Sequence, residues 1–494
     1  MFYHRTWQTA LSGYVHLAIA AGCSILTVKL ATQNLSQQEY GLWSLSFAVV
    51  GYLLFLDFGV SYSLGRIFAR AFADQDRGEL NQWILNCGVI LLLQGLVILL
   101  LGLLAEPILL SILKIPPELV PMFGDLWRII IVSQAALFPF RLLNGLLHGA
   151  DRVYQVHYAN IGSTVLNLCL FWLFLRQDMG VRSFAWASLF ASLANAMALW
   201  VMVGAAGYLR GLAGCRLEKR KLKELFHFSW GIFIAGISAH LVTGGQAVVA
   251  ARFLSVADVA VLNVTGRLPA LAQQAIFALV DSFAPRWRTR YSQGLVAETS
   301  GEYSQALGAI LRAGTVLIGA VSMVNPLFIF WWTRPEYFAG DLANLGFAAL
   351  VFFRALNHSF QIPFVLSMRT HKMALIIFGG AVLEILAYII GIQVLGIPGM
   401  LLGAVAINLA LITPLLYRAS QREISWREAH PFRTVWLAFP LAMAVFQGIT
   451  VGLQALCHRN SGAALLVAVV AGTLATLPAL YGEAKNLRSI LRAN

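Results

Sequence analysis

The chain has 494 residues, of which 59% are hydrophobic and only 12% are charged. Soluble domains carry about 25% charged residues, so this composition excludes an ordinary soluble protein. Apolar runs of about 20 residues recur from end to end, and each is long enough to cross a hydrocarbon core about 30 Å thick. We therefore predict an all-α polytopic membrane protein.

Hydropathy predicts fourteen transmembrane helices, with twelve plus a re-entrant or interfacial pair as the alternative. The first apolar run lacks a small-residue cleavage site, so we expect it to remain as an anchor. The predicted spans are 10–32, 41–64, 82–104, 124–147, 156–175, 183–208, 227–251, 259–283, 306–331, 344–367, 374–394, 399–418, 434–456 and 462–481.

The net charge of +13 is distributed unevenly. Most Lys and Arg residues lie between alternate spans, on the side that holds both termini, and the densest run is 210–223. The positive-inside rule predicts a multi-pass chain with both termini in the cytoplasm. No aromatic stacking platform accompanies these basic segments, so nucleic-acid binding is not predicted.

A short motif containing a cation occurs twice at membrane depth. Residues 140–144 (FRLLN) return as residues 353–357 (FRALN), 213 residues further on. A charged side chain inside a membrane is costly and usually faces a polar interior. The repetition of Arg141 and Arg354 therefore predicts two similar halves around a shared cationic lumen.

Four other basic residues lie at membrane depth. Lys29 and Arg312 are near span ends, from which a long side chain can reach the interface. Arg128 and Arg267 lie one to two turns from the outer interface and fit either snorkelling or a polar cavity. The predicted substrate-binding cations are Arg141, Arg354, Arg267, Arg128 and Lys29.

Two carboxylates and several amides complete the candidate site. Asp57 and Glu384 are deep enough to bind and release a coupling proton or Na⁺, or to form structural ion pairs with the buried arginines. Amides within the spans fit sugar hydroxyls, or simply hydrogen bonds between helices. The candidates for sugar contact are Asn144, Asn357, Asn167 and Gln273, with Gln134 and Gln274 as further amides.

Further matches extend the repeat. Residues 35–40 match 254–259, residues 165–168 match 382–385, and residues 179–181 match 395–397, at offsets close to 217. We predict an N-terminal six-helix lobe with its linker at 1–226 and a second six-helix lobe at 227–433. An even number of spans makes the two repeats parallel, and 434–494 is an added helix pair with a cytoplasmic tail.

Two stretches of sequence carry a family resemblance. Residues 34–44 (NLSQQEYGLWS) with 56–60 (LDFGV), and residues 228–231 (FSWG) through 253–255 (FLS) to Asn263 and Arg267, resemble polysaccharide and O-antigen flippases. These belong to the multidrug, oligosaccharidyl-lipid and polysaccharide exporter (MOP) superfamily. The resemblance implies two six-helix lobes that form a V around a cationic lumen.

The resemblance also implies a function. Such proteins move an undecaprenyl-diphosphate-linked oligosaccharide from the inner to the outer leaflet by alternating access, for O-antigen, capsule or exopolysaccharide biosynthesis. The expected partners are the lipid-linked oligosaccharide, membrane lipids and the polymerase or export machinery. The residues agree independently, because guanidinium groups form bidentate pairs with phosphate oxygens.

Other functional classes are less well supported. The five cysteines are odd in number and scattered, so neither a disulfide framework nor a zinc site is predicted. A Gly-rich nucleotide loop is absent, and we expect no enzyme activity and no cofactor beyond a coupling ion. The alternatives are a cation-coupled small-molecule exporter of the same superfamily and a non-transporting membrane scaffold.

Overall fold

The computed structural model describes residues 2–212 and 216–424. Within these ranges nine helical stretches are long and apolar enough to cross a membrane, and the stretch Thr370–Ile424 alone contains two predicted spans. The predicted spans 434–456 and 462–481, and with them the added helix pair, lie outside the described residues. The number of spans in the whole chain therefore stays a prediction.

Fifteen α-helices follow one another through the described residues. They are α1 (Phe2–Asn34), α2 (Gln37–Leu53), α3 (Val60–Ala73), α4 (Arg77–Ile112), α5 (Val120–Leu137), α6 (Arg141–Gly149), α7 (Val153–Arg176), α8 (Arg182–Ala205), α9 (Lys219–Phe253), α10 (Val256–Thr265), α11 (Arg267–Ser292), α12 (Val296–Trp332), α13 (Asp341–Leu366), α14 (Thr370–Ile407) and α15 (Thr413–Ile424).

The chain packs into two compact units, of which the first ends at Val259 and the second begins at Ala260. The first unit includes α9, which packs against α2 and α3. The boundary predicted at residue 226 is the position at which the sequence repeat starts again. The boundary at Val259 is the position at which the chain passes from one compact unit to the other. The repeat boundary stays a prediction.

The repeated sequence at 35–40 and 254–259 forms the same capping box in both copies. Ser36 Oγ accepts the Glu39 N–H at 3.2 Å, and the Glu39 carboxylate accepts the Ser36 N–H at 2.8 Å. Ser255 Oγ accepts the Asp258 N–H at 3.2 Å and donates to the Asp258 carboxylate at 2.6 Å. A capping box satisfies N–H groups that the start of a helix leaves unpaired, so the motif marks the starts of α2 and α10.

Backbone geometry repeats at nearly the same spacing. Positive φ angles occur in three pairs: Gln75 (54°) with Gly294 (83°), Asp151 (56°) with Met368 (59°), and Gly180 (57°) with Gly396 (63°). A positive φ is uncommon outside glycine, and the members of each pair lie 216–219 residues apart, close to the spacing of the sequence repeat. The two-lobe duplication itself stays a prediction.

Each unit has its own hydrophobic core. In the first, α3, α4 and α6 pack around Leu64, Leu91 and Leu147. Gly145 lets α6 approach α3, because a Cβ there would lie 2.4 Å from the Leu64 Cβ. In the second unit, α13 lies against α11, α12, α14 and α15 around a core that includes Leu356. Because α13 is buried on most sides, its polar residues lie in the interior of the second unit.

Several predicted spans differ from the structure in continuity. Span 41–64 is interrupted by a 3-10 turn at Leu54–Asp57, and span 124–147 by another at Phe138–Phe140. Span 259–283 is interrupted at Gly266, whereas 374–394 and 399–418 form the kinked helix α14 followed by a π-helical turn and α15. Hydropathy averages over a window, and a turn of apolar residues does not lower that average.

Candidate functional site

The first interrupted span carries Asp57 at its break. After Asp57 the backbone of Phe58 and Gly59 turns left-handed, with φ of 49° and 74°, so the helix cannot continue. The Asp57 carboxylate accepts hydrogen bonds from the Ser61 hydroxyl at 2.8 Å and the Ser61 N–H at 3.2 Å. Its backbone carbonyl accepts a bond from the Gln94 amide at 3.0 Å. Asp57 therefore caps α3, and Gln94 satisfies a carbonyl that the break releases.

The second interrupted span carries Arg141 immediately after its break. Pro139 has no N–H to continue α5, and α6 begins at Arg141. The Arg141 guanidinium carbon lies 4.3 Å from the centroid of the Phe138 ring, a cation–π distance. Both breaks thus place a charged side chain beside irregular backbone, which at membrane depth is tolerated where it is enclosed by protein or lines a cavity.

Asp57 and Arg141 line one cleft in the first unit. The cleft has a volume of about 570 Å³ and is also lined by Gln134, His240 and Thr243. The structure therefore brings together one predicted cation, one predicted carboxylate and one predicted amide, and Asp57 is more than 70 residues from the other two in sequence.

His240, a cleft residue that sequence analysis did not identify, belongs to α9. Its Nε2 lies 2.9 Å from the Ala48 carbonyl oxygen, and its ring packs edge-on against Tyr52 at 4.8 Å. Gly51 makes room for the imidazole, because a Cβ there would lie 2.0 Å from its Cε1. Only the packing of α9 on α2 reveals this residue as part of the site.

In the second unit Arg354 lies in an interior polar network. Its Nη2 lies 3.7 Å from Glu384 Oε2 and donates to the Tyr388 hydroxyl at 3.2 Å. Tyr388 in turn donates to the same carboxylate at 2.9 Å. The two side chains are only 17% and 5% exposed, so the two predicted residues Arg354 and Glu384 form a buried ion pair.

Amides and a hydroxyl extend this network. Asn408 donates to Glu384 Oε1 at 2.7 Å, Asn357 donates to Asn408 Oδ1 at 2.8 Å, and Thr413 donates to Asn357 Oδ1 at 2.8 Å. Asn408 opens the π-helical turn Asn408–Ile412, and such turns often occur at functional sites. Tyr388, Asn408 and Thr413 were not predicted; the spacing of Glu384 and Tyr388, four residues apart on one helix face, was the available signal.

The remaining predicted cations lie elsewhere. Arg128 forms a two-pronged pair with Glu106, at 2.9 Å from Nε and 2.8 Å from Nη2. Lys29 lines a separate groove of about 490 Å³ between α1 and α7, beside Trp172. Arg267 begins α11 in the second unit. Of the five predicted cations, therefore, only Arg141 lines the cleft that contains Asp57.

The predicted amides differ in their surroundings. Asn357 is buried within the network just described. Asn144 on α6 and Asn167 on α7 are half-buried, and neither side chain has a hydrogen-bond partner among residues 2–212 and 216–424. Gln273 is half-buried on α11. The first unit thus presents amides with unused donors and acceptors, whereas Asn357 uses its own internally.

A family model described as "Polysaccharide biosynthesis protein" matches residues 9–286. The chain belongs to this family. The match includes most of α1, all of α2 to α10 and most of α11, and thus every residue that lines the Asp57–Arg141 cleft. No curated protein matches the chain.

Solved structures show the fold of this family member. An inward-facing multidrug resistance MATE transporter of the MOP superfamily superposes with a TM-score of 0.72 at 17% identity, over 83% of this chain and 98% of the other. An outward-facing one gives 0.60 at 16%, over 84% and 95%. A MOP superfamily transporter from Pyrococcus furiosus gives 0.60 at 15%, over 85% and 96%. The chain is a multi-pass membrane protein with this transporter fold, as the sequence predicted.

Proposed function

We propose that this family member is a flippase that moves a polyprenyl-diphosphate-linked oligosaccharide from the inner to the outer leaflet, for the biosynthesis of a cell-surface polysaccharide. The observation that carries the proposal is Arg141, held at a helix break on the wall of the cleft that Asp57 and Gln134 also line. A diphosphate that crosses a membrane needs a cation where it leaves water, and guanidinium suits paired phosphate oxygens.

The surroundings of Arg141 suit the rest of such a substrate. Gln134 and Thr243 line the cleft, and the amide of Asn144, one turn along α6 from Arg141, can donate to or accept from a sugar hydroxyl. His240 adds an imidazole ring to the lining of the same cleft. The neighbouring structure from Pyrococcus furiosus is itself described as having a binding pocket of reversed polarity that suggests a different function.

A cation-coupled small-molecule exporter is the second candidate, and Asp57 favours it. A carboxylate in the cleft attracts organic cations, and the multidrug MATE transporters share the fold. The first predicted span counts against this function, because exporters of this kind use a carboxylate there. Residues 10–32 contain no acidic residue and one lysine. The substrate's charge separates the two candidates, because Arg141 favours anions and repels cations.

The proposal includes the protein's place in the cell. We place it in a bacterial inner membrane with both termini cytoplasmic, working beside a polymerase or export machinery and without enzymatic activity of its own. Proteins that build the lipid-linked sugar would act before it on the inner leaflet, and those that polymerise or transfer the sugar would act after it.

The experiment is depletion of the protein in its host, followed by location of the lipid-linked oligosaccharide. Spheroplasts are probed with a membrane-impermeant lectin, and rescue is attempted with wild type, Arg141→Gln, Arg141→Lys and the matched control Arg182→Gln. Arg182 pairs with Asp125 away from the cleft, so this control should rescue fully. We expect depletion to trap the glycolipid on the inner leaflet, Arg141→Gln to fail, and Arg141→Lys to rescue weakly because lysine lacks the planar fork.

Two results would overturn the flippase proposal. If the glycolipid reaches the outer leaflet equally without the protein, its substrate is something else. If Arg141→Gln rescues as well as wild type, Arg141 does not carry the diphosphate. Uptake and efflux of organic cations in the same cells would then test the exporter alternative.

A further inference from the structure

A second cavity of the first unit lies between α1 and α7, away from the Asp57–Arg141 cleft. This groove has a volume of about 490 Å³, and the described residues that line it are all different from those of the cleft. Ligand pockets typically enclose about 300–1,000 Å³ and combine apolar walls with a few polar groups. The groove has this composition, with apolar walls from Leu26, Leu30 and Leu168 and polar groups from Lys29 and Gln33.

Helices α1 and α7 run in the same direction along the groove. Near the start of each helix, the Ser12 hydroxyl lies 2.9 Å from His157 Nδ1. Further along both helices, Lys29 and Trp172 line the groove together. Because the contacts advance along both helices in the same direction, the C-terminal ends of α1 and α7 lie at the same side of the unit.

Two cations lie near this end of the groove. Lys29 lines it directly, and the Arg176 guanidinium carbon lies 4.0 Å from the centroid of the Trp172 ring, which is also part of the lining. This is a cation–π distance, so Trp172 holds a second positive charge beside the groove. The described lining residues include no acid, and the acid nearest to Arg176 in sequence, Asp178, lies beyond the end of α7. This end of the groove is therefore suited to an anion.

The remainder of the groove is apolar and open. Leu26 is 50% exposed, Trp172 is 42% exposed, and Cys169 is exposed as well. Both helices contain segments long and apolar enough to cross a membrane, so this surface lies within the hydrocarbon layer. Tryptophan is enriched at the boundary between that layer and water, and a lysine side chain extends toward the same boundary. The groove thus has a cationic end at the interface and an apolar floor at greater depth.

We propose that this groove binds an anionic phospholipid of the surrounding bilayer, with the head group at Lys29 and Arg176 and one acyl chain along Leu26 and Leu168. Basic groups between membrane helices attract anionic head groups, and the apolar walls accept the chain. A lipid-linked oligosaccharide fits this groove less well, because Gln33 is the single amide among the described lining residues and a sugar needs several polar partners. The inference is independent of the proposed transport function.

The test is crosslinking of the full chain, purified in detergent, to phosphatidylglycerol that carries a photoreactive acyl chain. Peptide mass spectrometry locates the adducts, which we expect within residues 26–33 of α1 and 168–172 of α7. Excess unlabelled phosphatidylglycerol should remove these adducts, whereas the same excess of phosphatidylcholine, whose head group has no net charge, should leave most of them. Adducts confined to other helices, or equal competition by the two lipids, would overturn the site.

Variants then separate the head group from the chain. In Lys29→Gln and in Arg176→Gln, the concentration of unlabelled phosphatidylglycerol that halves the adducts should rise about fivefold, since each cation near a membrane surface contributes roughly that factor. The matched control Lys114→Gln, at an exposed lysine beyond the end of α4, should leave this concentration unchanged.

The substitution Cys169→Trp places a large ring in the groove at an exposed position and should remove the adducts within it, whichever lipid carries the photoreactive chain. Unchanged competition in both charge variants would show that Lys29 and Arg176 do not bind the head group. Unchanged adducts in Cys169→Trp would show that the acyl chain does not occupy the groove. Either result would overturn the proposal.

Discussion

Arg141 and Arg354 occupy the same place in the repeated pentapeptide but have different surroundings. Arg141 begins a short helix after a break and lines a cleft that the Asp57 carboxylate also lines. Arg354 lies inside the continuous helix α13 and is paired with Glu384 and Tyr388. The duplicated arginine thus lines a cleft in one unit and forms an ion pair in the interior of the other.

Two differences in sequence explain this divergence. Pro139 is replaced by Phe352 in the second copy, so α13 continues where α5 ends. At the offset of the matching 165–168 and 382–385 segments, Asn167 and Phe171 correspond to Glu384 and Tyr388. The second copy therefore brings its own partners to the arginine, whereas the first depends on a break in another helix.

The largest effect is expected from separating the buried pair. Arg354→Gln leaves the Glu384 carboxylate buried without its cation, which typically costs about 3–5 kcal/mol of the free energy of unfolding. The double variant Arg354→Gln with Glu384→Gln should recover most of this loss. Unfolding of the purified protein in detergent measures both. Arg182→Gln is the matched comparison, because it removes only a half-exposed ion pair with Asp125, which should contribute at most about 1 kcal/mol. A single variant as stable as wild type would contradict the structural role of Arg354.

The repeated asparagines, Asn144 and Asn357, should differ as the arginines do, with the larger loss of stability in the second unit. Asn357→Ala removes the partner of Asn408 and Thr413 and should lower the free energy of unfolding by about 1–3 kcal/mol. Asn144→Ala breaks no hydrogen bond to a described residue, so we expect a change within about 0.5 kcal/mol together with weaker substrate binding. Equal losses of stability in the two variants would show that the two units use their amides alike.

Removal of the helix break tests how Arg141 is positioned. Pro139→Phe copies the second unit and restores the missing N–H, so it should extend α5 and move Arg141 off the helix start. We expect roughly a tenfold loss of flipping, because misplaced binding groups lose catalytic effect steeply. Pro121→Ala is the control, since a proline in the first turn of α5 interrupts no helical hydrogen bond. Unchanged flipping by Pro139→Phe would mean that the break is held by other contacts or is not needed.

The smallest changes in stability are expected from the capping boxes, and they should be similar in the two units. Ser36→Ala and Ser255→Ala each remove a capping-box hydroxyl and should cost about 1 kcal/mol. The variants Ser36→Thr and Ser255→Thr keep the hydroxyl and should be nearly neutral. Thermal unfolding compares all four. A cost confined to one copy would show that the motif caps a helix in only one of the units.

The sequence by itself determined the class of protein and identified the charged residues that lie within its apolar helices. Apolar runs of about 20 residues require helices in a membrane because every backbone group must be satisfied within the segment. The sequence repeats at 35–40 and 254–259 are local and direct the same capping contacts wherever they occur. Arg141, Asp57, Arg354 and Glu384 were predicted because charge at membrane depth is rare in any chain.

The tertiary structure alone decided which of these charges meet. Asp57 and Arg141 are more than 80 residues apart in sequence and come to line the same cleft only when two interrupted helices pack together. A hydropathy average does not detect such an interruption when the residues of the break are apolar. The same holds for His240, which α9 brings to the cleft, and for Asn408, which reaches Glu384 from a π-helical turn. Distances between helices depend on packing, and that is why one repeated arginine lines a cleft while its copy is locked in an ion pair.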